Sequence, residues 1–312
     1  MDTLPDYVEL HCRSNFSFLT GASHAEELVE RAQELHYAGL AITDECSLAG
    51  IVRAHVAAKA VGLPLLVGAQ FEVEGAAPCT LVVLACNLHG YGNLCTFITR
   101  LRRASPKGTY RLEVQSITGE ALADCVVLAV PPRQATDAGL LELGAWLLAR
   151  FTGRVWLAVE LHRRLDDERW LERLQALAEA TAIPLVAAGD VHMHLRSRKP
   201  LQDTLTAIRL GRPIAECGHA LQPNAERHLR SRLRLALTYP AELLAETSRV
   251  AARCRFSLDE LRYRYPKEVV PHGETADSYL RRRVYEGAGR RWPDGMHAKV
   301  QDLLEHELAL IA

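Results

Sequence analysis

Four residues of this chain, His11, Asp44, Asp190 and His192, are of the types that hold divalent cations, and each follows a short apolar run. Tyr7-Val8-Glu9-Leu10 leads to His11, Leu40-Ala41-Ile42-Thr43 leads to Asp44-Glu45, and residues 183–189 lead to Asp190-Val191-His192. Imidazole and carboxylate converging on one rim would suit Zn, Mn or Fe, whose bound water can attack a phosphoester. Any one of these residues alone reads as a capping aspartate or a hydrogen-bonded histidine. As a set they argue for a site, because an α/β barrel brings strand ends side by side. His162, after residues 155–161, is a weaker member, and His194 reads as a surface residue.

Such a site needs a scaffold that ends several strands on one face. Apolar runs at residues 63–68, 80–85, 125–130 and 155–161 supply it, with helical periodicity between them. Ser23-His24-Ala25-Glu26 has the form of a capping box and predicts a helix with Leu28, Ala32 and Leu35 on one face. Gly39 is placed for that helix's left-handed cap. A second helix closes at Gly62, Phe71-Glu72-Val73 predicts an antiparallel neighbour, and Gly90-Tyr91-Gly92-Asn93 opens a further helix. About six strand–helix units in series predict a parallel α/β barrel, or failing that an open doubly wound sheet. The absence of a Gly-rich dinucleotide fingerprint and of a P-loop counts against the open-sheet nucleotide binders. From about residue 200 helices dominate, near 201–210, 240–253, 257–263, 276–290 and 298–311. Tyr263-Arg264-Tyr265-Pro266 and Pro271-His272-Gly273 read as an extended connector. The last helix carries no cap, as expected of a cut through a longer polypeptide.

The 312 residues suffice for one large domain or two ordinary ones. A net charge of −1 supplies no global field for nucleic acid, so any such contact must come from local patches. Eight cysteines are scattered without a CxxC, and with no signal peptide they predict reduced thiols and a cytoplasmic location. No apolar run approaches the ~18 residues of a membrane helix.

The opening segment, Thr43-Asp44-Glu45-Cys46-Ser47-Leu48-Ala49-Gly50, Gly90-Tyr91-Gly92-Asn93-Leu94 and Ala188-Gly189-Asp190-Val191-His192-Met193-His194 carry a resemblance. They resemble the polymerase-and-histidinol-phosphatase (PHP) domain at the N-terminus of bacterial C-family DNA polymerases. Residues 197–210, 223–231 and Cys254-Arg255-Phe256-Ser257-Leu258-Asp259-Glu260-Leu261 are sharper. With them the whole chain resembles the error-prone C-family polymerase (the ImuC kind) more than the replicative alpha subunit. The resemblance implies an α/β fold, a distorted (β/α)7 PHP barrel over residues 1–199 that extends at most to about 235. A mainly helical segment, 200–312, would then begin the polymerase body. For the intact protein the resemblance implies translesion synthesis and damage-induced mutagenesis with Mg²⁺ as cofactor. Its partners would be DNA, the sliding clamp and accessory mutagenesis proteins, with the catalytic palm beyond this chain.

The chain departs from that family's metal-site pattern. The opening His-x-His has Arg13 at its second position, the aspartate before the next glycine is Thr20, and the Asp-His pair reads Asp44-Glu45. A glutamate and a histidine are replaced by Gln70 and Thr80, while His11, Asp190 and His192 match. A guanidinium cannot ligate a metal and puts fixed positive charge where the cation would sit. The expectation is a vestigial site in which Arg13 pairs with Asp44, Glu45 or Asp190. One residual Zn or Mn ion at His11, Asp190 and His192 is the most it would hold, and no cofactor is expected in this portion.

Asp166-Asp167, the only adjacent aspartates, stand at a predicted helix start, so no palm chemistry is placed here. Arg196, Arg198 and Lys199 form one basic group and Arg227, Arg230, Arg232 and Arg234 another. Both are candidates for phosphate-backbone or interdomain contact. A third group, Arg281, Arg282, Arg283, Arg290 and Arg291, reads as an ion-paired helix face. Two rivals remain. A free-standing metal-dependent phosphoesterase of the histidinol-phosphatase kind would need the full ligand set, and a plain nucleic-acid-binding module would need more positive charge.

Overall fold

The computed structural model describes residues 4–262 and 269–312, so Tyr263-Arg264-Tyr265-Pro266 of the expected connector lies outside the described residues. The apolar runs form one seven-stranded sheet in chain order. The strands are β1 (Val8–Glu9), β2 (Gly39–Glu45), β3 (Leu65–Val73), β4 (Cys79–Ala85), β5 (Cys125–Val130), β6 (Val155–Val159) and β7 (Leu185–Ala187). Between them run α1 (Ala25–Glu34), α2 (Ile51–Val61), α3 (Leu88–Arg103), α4 (Asp137–Phe151) and α5 (Asp167–Thr181). After β7 come α6 (Lys199–Leu210), α7 (Arg232–Ala236) and α8 (Ala241–Arg253).

Alternation along each strand splits the apolar side chains between two cores. Leu10, Leu66, Leu84, Leu128, Trp156 and Val186 point to one buried cluster, the inside of the curled sheet. Their neighbours pack with Leu28, Ile51, Leu94, Leu147 and Leu174 of the surrounding helices in the other. The same alternation carries Gln70 on from Leu66, and Glu160 on from Trp156 and Ala158, so the inner face turns polar at one end.

The edge strands β1 and β7 are joined by a single parallel bridge, Cys12 with Val191, with Arg13 N donating to Val191 O at 2.8 Å and Val191 N to His11 O at 2.9 Å. At the other end α8 packs against both β7 and β1, placing Val250 in the inner cluster. There Thr247 Oγ1 accepts from Val8 N at 3.1 Å. The sheet-bearing compact unit runs to Leu261.

Several local expectations shift. The sheet is not wholly parallel, because β4 is antiparallel to both β3 and β5. The β3–β4 link is too short for the dozen residues of a crossover, and Phe71-Glu72-Val73 continues β3 rather than starting a new strand. The α1 cap moves one residue on, with Glu27 Oε2 accepting from His24 N at 2.9 Å, because the Ser23 hydroxyl is engaged by His194. Gly39 opens β2 and His36 makes the left-handed turn. The helix expected over 257–263 is a single turn at Leu258–Glu260, and Pro271-His272-Gly273 is a turn with Gly273 at φ 90°.

The second compact unit, Arg262–Ala312, holds α9 (Ala276–Arg291) and α10 (Ala298–Ile311). Arg281 pairs with Glu305 at 2.7 Å, Arg282 with Glu274 and Glu286, and Arg283 with Glu286. Among the described residues no helix is long and apolar enough to cross a membrane.

Candidate functional site

The polar end of the inner face is built around His11, just past β1 and only 2% exposed. Its Nδ1 lies 2.7 Å from Glu160 Oε1, just past β6, and its Nε2 lies 2.7 Å from Gln70 Oε1 on β3. Burial alone would raise the Glu160 carboxyl, but the His11 hydrogen bond and the charges of His11, Arg227 and Arg13 outweigh it and lower its pKa.

Asp190, just past β7, sits at φ 41°, a left-handed conformation that aspartate tolerates better than most residues. Gly189 before it is required by close approach, since a Cβ there would lie 2.3 Å from Glu9 Oε2. Glu9 accepts from the backbone N–H groups of His11 and Gly189 and from the Tyr7 hydroxyl, tying β1 to the β7 end. Arg13 Nη2 donates to Asp190 Oδ1 at 2.6 Å, and Arg227 Nη1 contacts Asp190 Oδ2. Of the three carboxylates considered for Arg13, Asp190 is the one in contact. His192 Nε2 lies 3.0 Å from Asp190 Oδ1, and His11 Nε2 stands 3.8 Å from the same oxygen.

Asp44 does not join this group. It accepts from Ser14 N at 2.8 Å and from the Ser14 and Ser17 hydroxyls at 2.7 Å, bracing the loop after β1. Glu45 accepts from the Tyr110 hydroxyl at 3.2 Å. Thr80 donates to Glu72 at 3.0 Å, and burial pushes the Glu72 carboxyl up. Thr20 is buried and lines the rim cavity.

A divalent cation needs lone pairs not already engaged. Both His11 nitrogens have partners, and both Asp190 oxygens face guanidinium groups. Among the described residues no group of three or more His, Cys, Asp or Glu stands ready to hold a metal ion.

Two of the basic candidates turn inward. Arg227 lies in the rim against Asp190. Arg230 is 2% exposed and donates to Leu161 O at 2.9 Å and to the Tyr239 hydroxyl at 3.0 Å, inside the fold. The others are paired within the chain: Arg196 and Arg234 with Glu226, Arg198 with Glu27, Lys199 with Asp203 and Arg232 with Asp6. Glu160 and Glu9 are the site residues that sequence reasoning passed over. A lone carboxylate inside the apolar run 155–161 was the available signal for Glu160.

His162 bonds Gly189 O through Nε2 at 2.8 Å and is buried. Burial first, then Arg227, depress its pKa well below 6.5. Above that value both folded and unfolded states are neutral; below it the unfolded chain takes up a proton the folded one refuses, so stability falls as pH falls. His162→Gln keeps a donor and removes the titration. Urea unfolding between pH 6.5 and about 5 should show the wild type losing up to ~1.4 kcal/mol per pH unit more than the variant. Parallel stability curves would show that the imidazole is not held neutral.

The PHP domain family matches residues 9–180. The error-prone DNA polymerase of Dechloromonas aromatica is 55% identical over 99% of this chain, and that of Methylococcus capsulatus 53% over 98%. The chain spans 30% and 29% of their lengths. A solved amidohydrolase from Chromobacterium violaceum is 16% identical with a TM-score of 0.47, over 60% of this chain and 87% of that one. With a family match over more than half its length, the chain belongs to the PHP domain family.

Proposed function

We propose that this chain is the N-terminal, PHP-containing portion of an error-prone DNA polymerase that acts in translesion synthesis in the cytoplasm. The observation that carries the reading is identity above half with error-prone polymerases across nearly the whole chain. The intact protein would extend a primer on DNA with Mg²⁺, in company with a sliding clamp and accessory mutagenesis proteins. Residues 200–312 would begin its polymerase body. The PHP barrel serves as a structural and interaction module. Its rim is a vestigial metal site, in which Arg13 and Arg227 supply Asp190 with the positive charge a metal would have brought.

Mass spectrometry on chain purified without chelator or histidine tag tests the rim, beside an Asp190→Ala/His192→Ala control. Well under 0.1 equivalent of Zn, Mn or Fe is expected in both, on the order of adventitious loading. About one equivalent in the wild type, lost in the control, would overturn the vestigial site and bring back the phosphoesterase. Primer extension by a polypeptide of the relatives' full length, with none by residues 1–312 alone, is the matching expectation for the polymerase reading.

A further inference from the structure

Because β4 runs antiparallel to both neighbours, its last residue, Ala85, reaches the end of the sheet opposite the rim. Cys86 follows it directly, and Cys254 caps the end of α8. Arg255 N donates to Cys86 O at 2.9 Å, which sets these two residues side by side though they are far apart in the chain. Their side chains stand in hydrogen-bond contact. Both are free cysteines, half-buried, and both pack against the inner cluster.

A cavity of about 460 Å³ opens onto Cys86. Arg154, Arg253 and Arg255 line it, against a single carboxylate, Asp124. Arg154 donates to Leu122 O at 2.6 Å, Arg253 to Gly153 O at 2.9 Å and Arg255 to Ala252 O at 3.2 Å. None of those acceptors carries a charge, so the guanidinium groups keep theirs. A partly exposed thiol among fixed cations is the kind that ionises and reacts.

The two thiols are not equivalent. The Cys254 hydrogen bond first, then Arg253 and the backbone of Val126, lower the Cys86 thiol pKa against burial and Asp124. The same contact, then burial, raise that of Cys254, which keeps its proton and donates it. Cys125 also lines the cavity, but it is buried and its Sγ donates to Gly90 O at 3.3 Å. Burial first, then the Cys86 charge, push it up to about 12.

We propose that Cys86 and Cys254 form a reversible disulfide on oxidation by hydrogen peroxide, stapling the end of α8 to the end of β4. The Cys86 thiolate attacks one peroxide oxygen. An S–O bond forms, the O–O bond breaks, and the hydroxide released takes up a proton to leave as water. The Cys254 sulfur then attacks the Cys86 sulfenic acid. The S–S bond forms, the S–O bond breaks, and the hydroxyl leaves with the Cys254 proton as a second water. Two thiols thus give up two electrons to one peroxide, and a dithiol returns them. In a reducing compartment a bond of this kind is transient and signals oxidant. The staple does not depend on the polymerase reading.

The test treats the reduced 312-residue chain at neutral pH with a few equivalents of hydrogen peroxide. Remaining thiols are alkylated, and the digest is mapped by mass spectrometry before and after dithiothreitol. One cross-linked peptide is expected, Cys86 with Cys254 in the same chain, lost on reduction. The oxidised chain should melt about 4–16 °C above the reduced one, since the bond closes a long loop. Cys254→Ser should leave a Cys86 sulfenic acid that dimedone traps, and Cys125→Ser should leave the cross-link unchanged. A link from Cys86 to Cys125 or to a second chain would overturn the pairing. So would Cys86 passing to the sulfinic acid while Cys254 stays reduced, or no cross-link at all. A link that leaves the melting midpoint unmoved would overturn the staple. The decisive readings come from the wild-type chain, so they stand even where a variant folds poorly.

Discussion

Asp190→Asn should cost the barrel about 3–5 kcal/mol, because it leaves two buried guanidinium groups without their counter-charge. Arg13, Arg227 and Asp190 expose only 12%, 15% and 5% of their side chains, so solvent screens this cluster little. Asparagine keeps the size of the side chain and tolerates φ 41° as well as aspartate does, which isolates the charge from the backbone. The measurement is urea unfolding, read as a shift in midpoint at unchanged slope. In an Arg13→Gln/Arg227→Gln background the same substitution should cost under about 1 kcal/mol, since the charges needing Asp190 are gone. A loss below ~1 kcal/mol in the wild-type background would mean that the arginines are neutralised by other groups.

Arg230→Met should be nearly as damaging, at about 3–5 kcal/mol, or roughly 6–20 °C in Tm for a unit of this size. The guanidinium is inside the fold and holds Leu161 O, one residue beyond Glu160, and the Tyr239 hydroxyl. That hydroxyl in turn donates to Ala188 O at 2.8 Å and accepts from Leu161 N at 3.1 Å, joining the β6 and β7 ends. Arg230 also lends positive charge to Glu9, whose pKa burial raises while the backbone of His11 and Gly189, the Tyr7 hydroxyl and Arg230 oppose the rise. Arg196→Met is the control. Its side chain is 60% exposed and 3.7 Å from Glu226, so its expected cost is under about 0.5 kcal/mol. Similar losses from the two substitutions would contradict a core role for Arg230.

The strands were legible because most are short apolar runs bounded by polar or turn-forming residues, and that pattern survives without tertiary information. The rim was half legible. His11, Asp190 and His192 do meet there, since each lies within five residues of the end of a strand that leads to it. Asp44 also follows a strand, yet Ser14 and Ser17 capture it, and nothing in the local run reveals which loop folds back over it. Arg227 and Arg230 were hard to place for a related reason. Four arginines within eight residues look like a solvated face, and what buries Arg230 is Leu161 O, 69 residues away in the chain. Glu160 stayed hidden inside an apolar run until strand alternation turned it to the inner face.

The α8 helix that floors the barrel also imposes a schedule. Val8 N finds its acceptor on Thr247, 239 residues later. At roughly 5–20 residues per second of synthesis, about 12–48 s separate the emergence of β1 from that of its floor. For that interval the inner-face leucines of a growing sheet have no lid. Slow synthesis or a missing chaperone should therefore harm this barrel before α8 emerges, and pausing after it should do little.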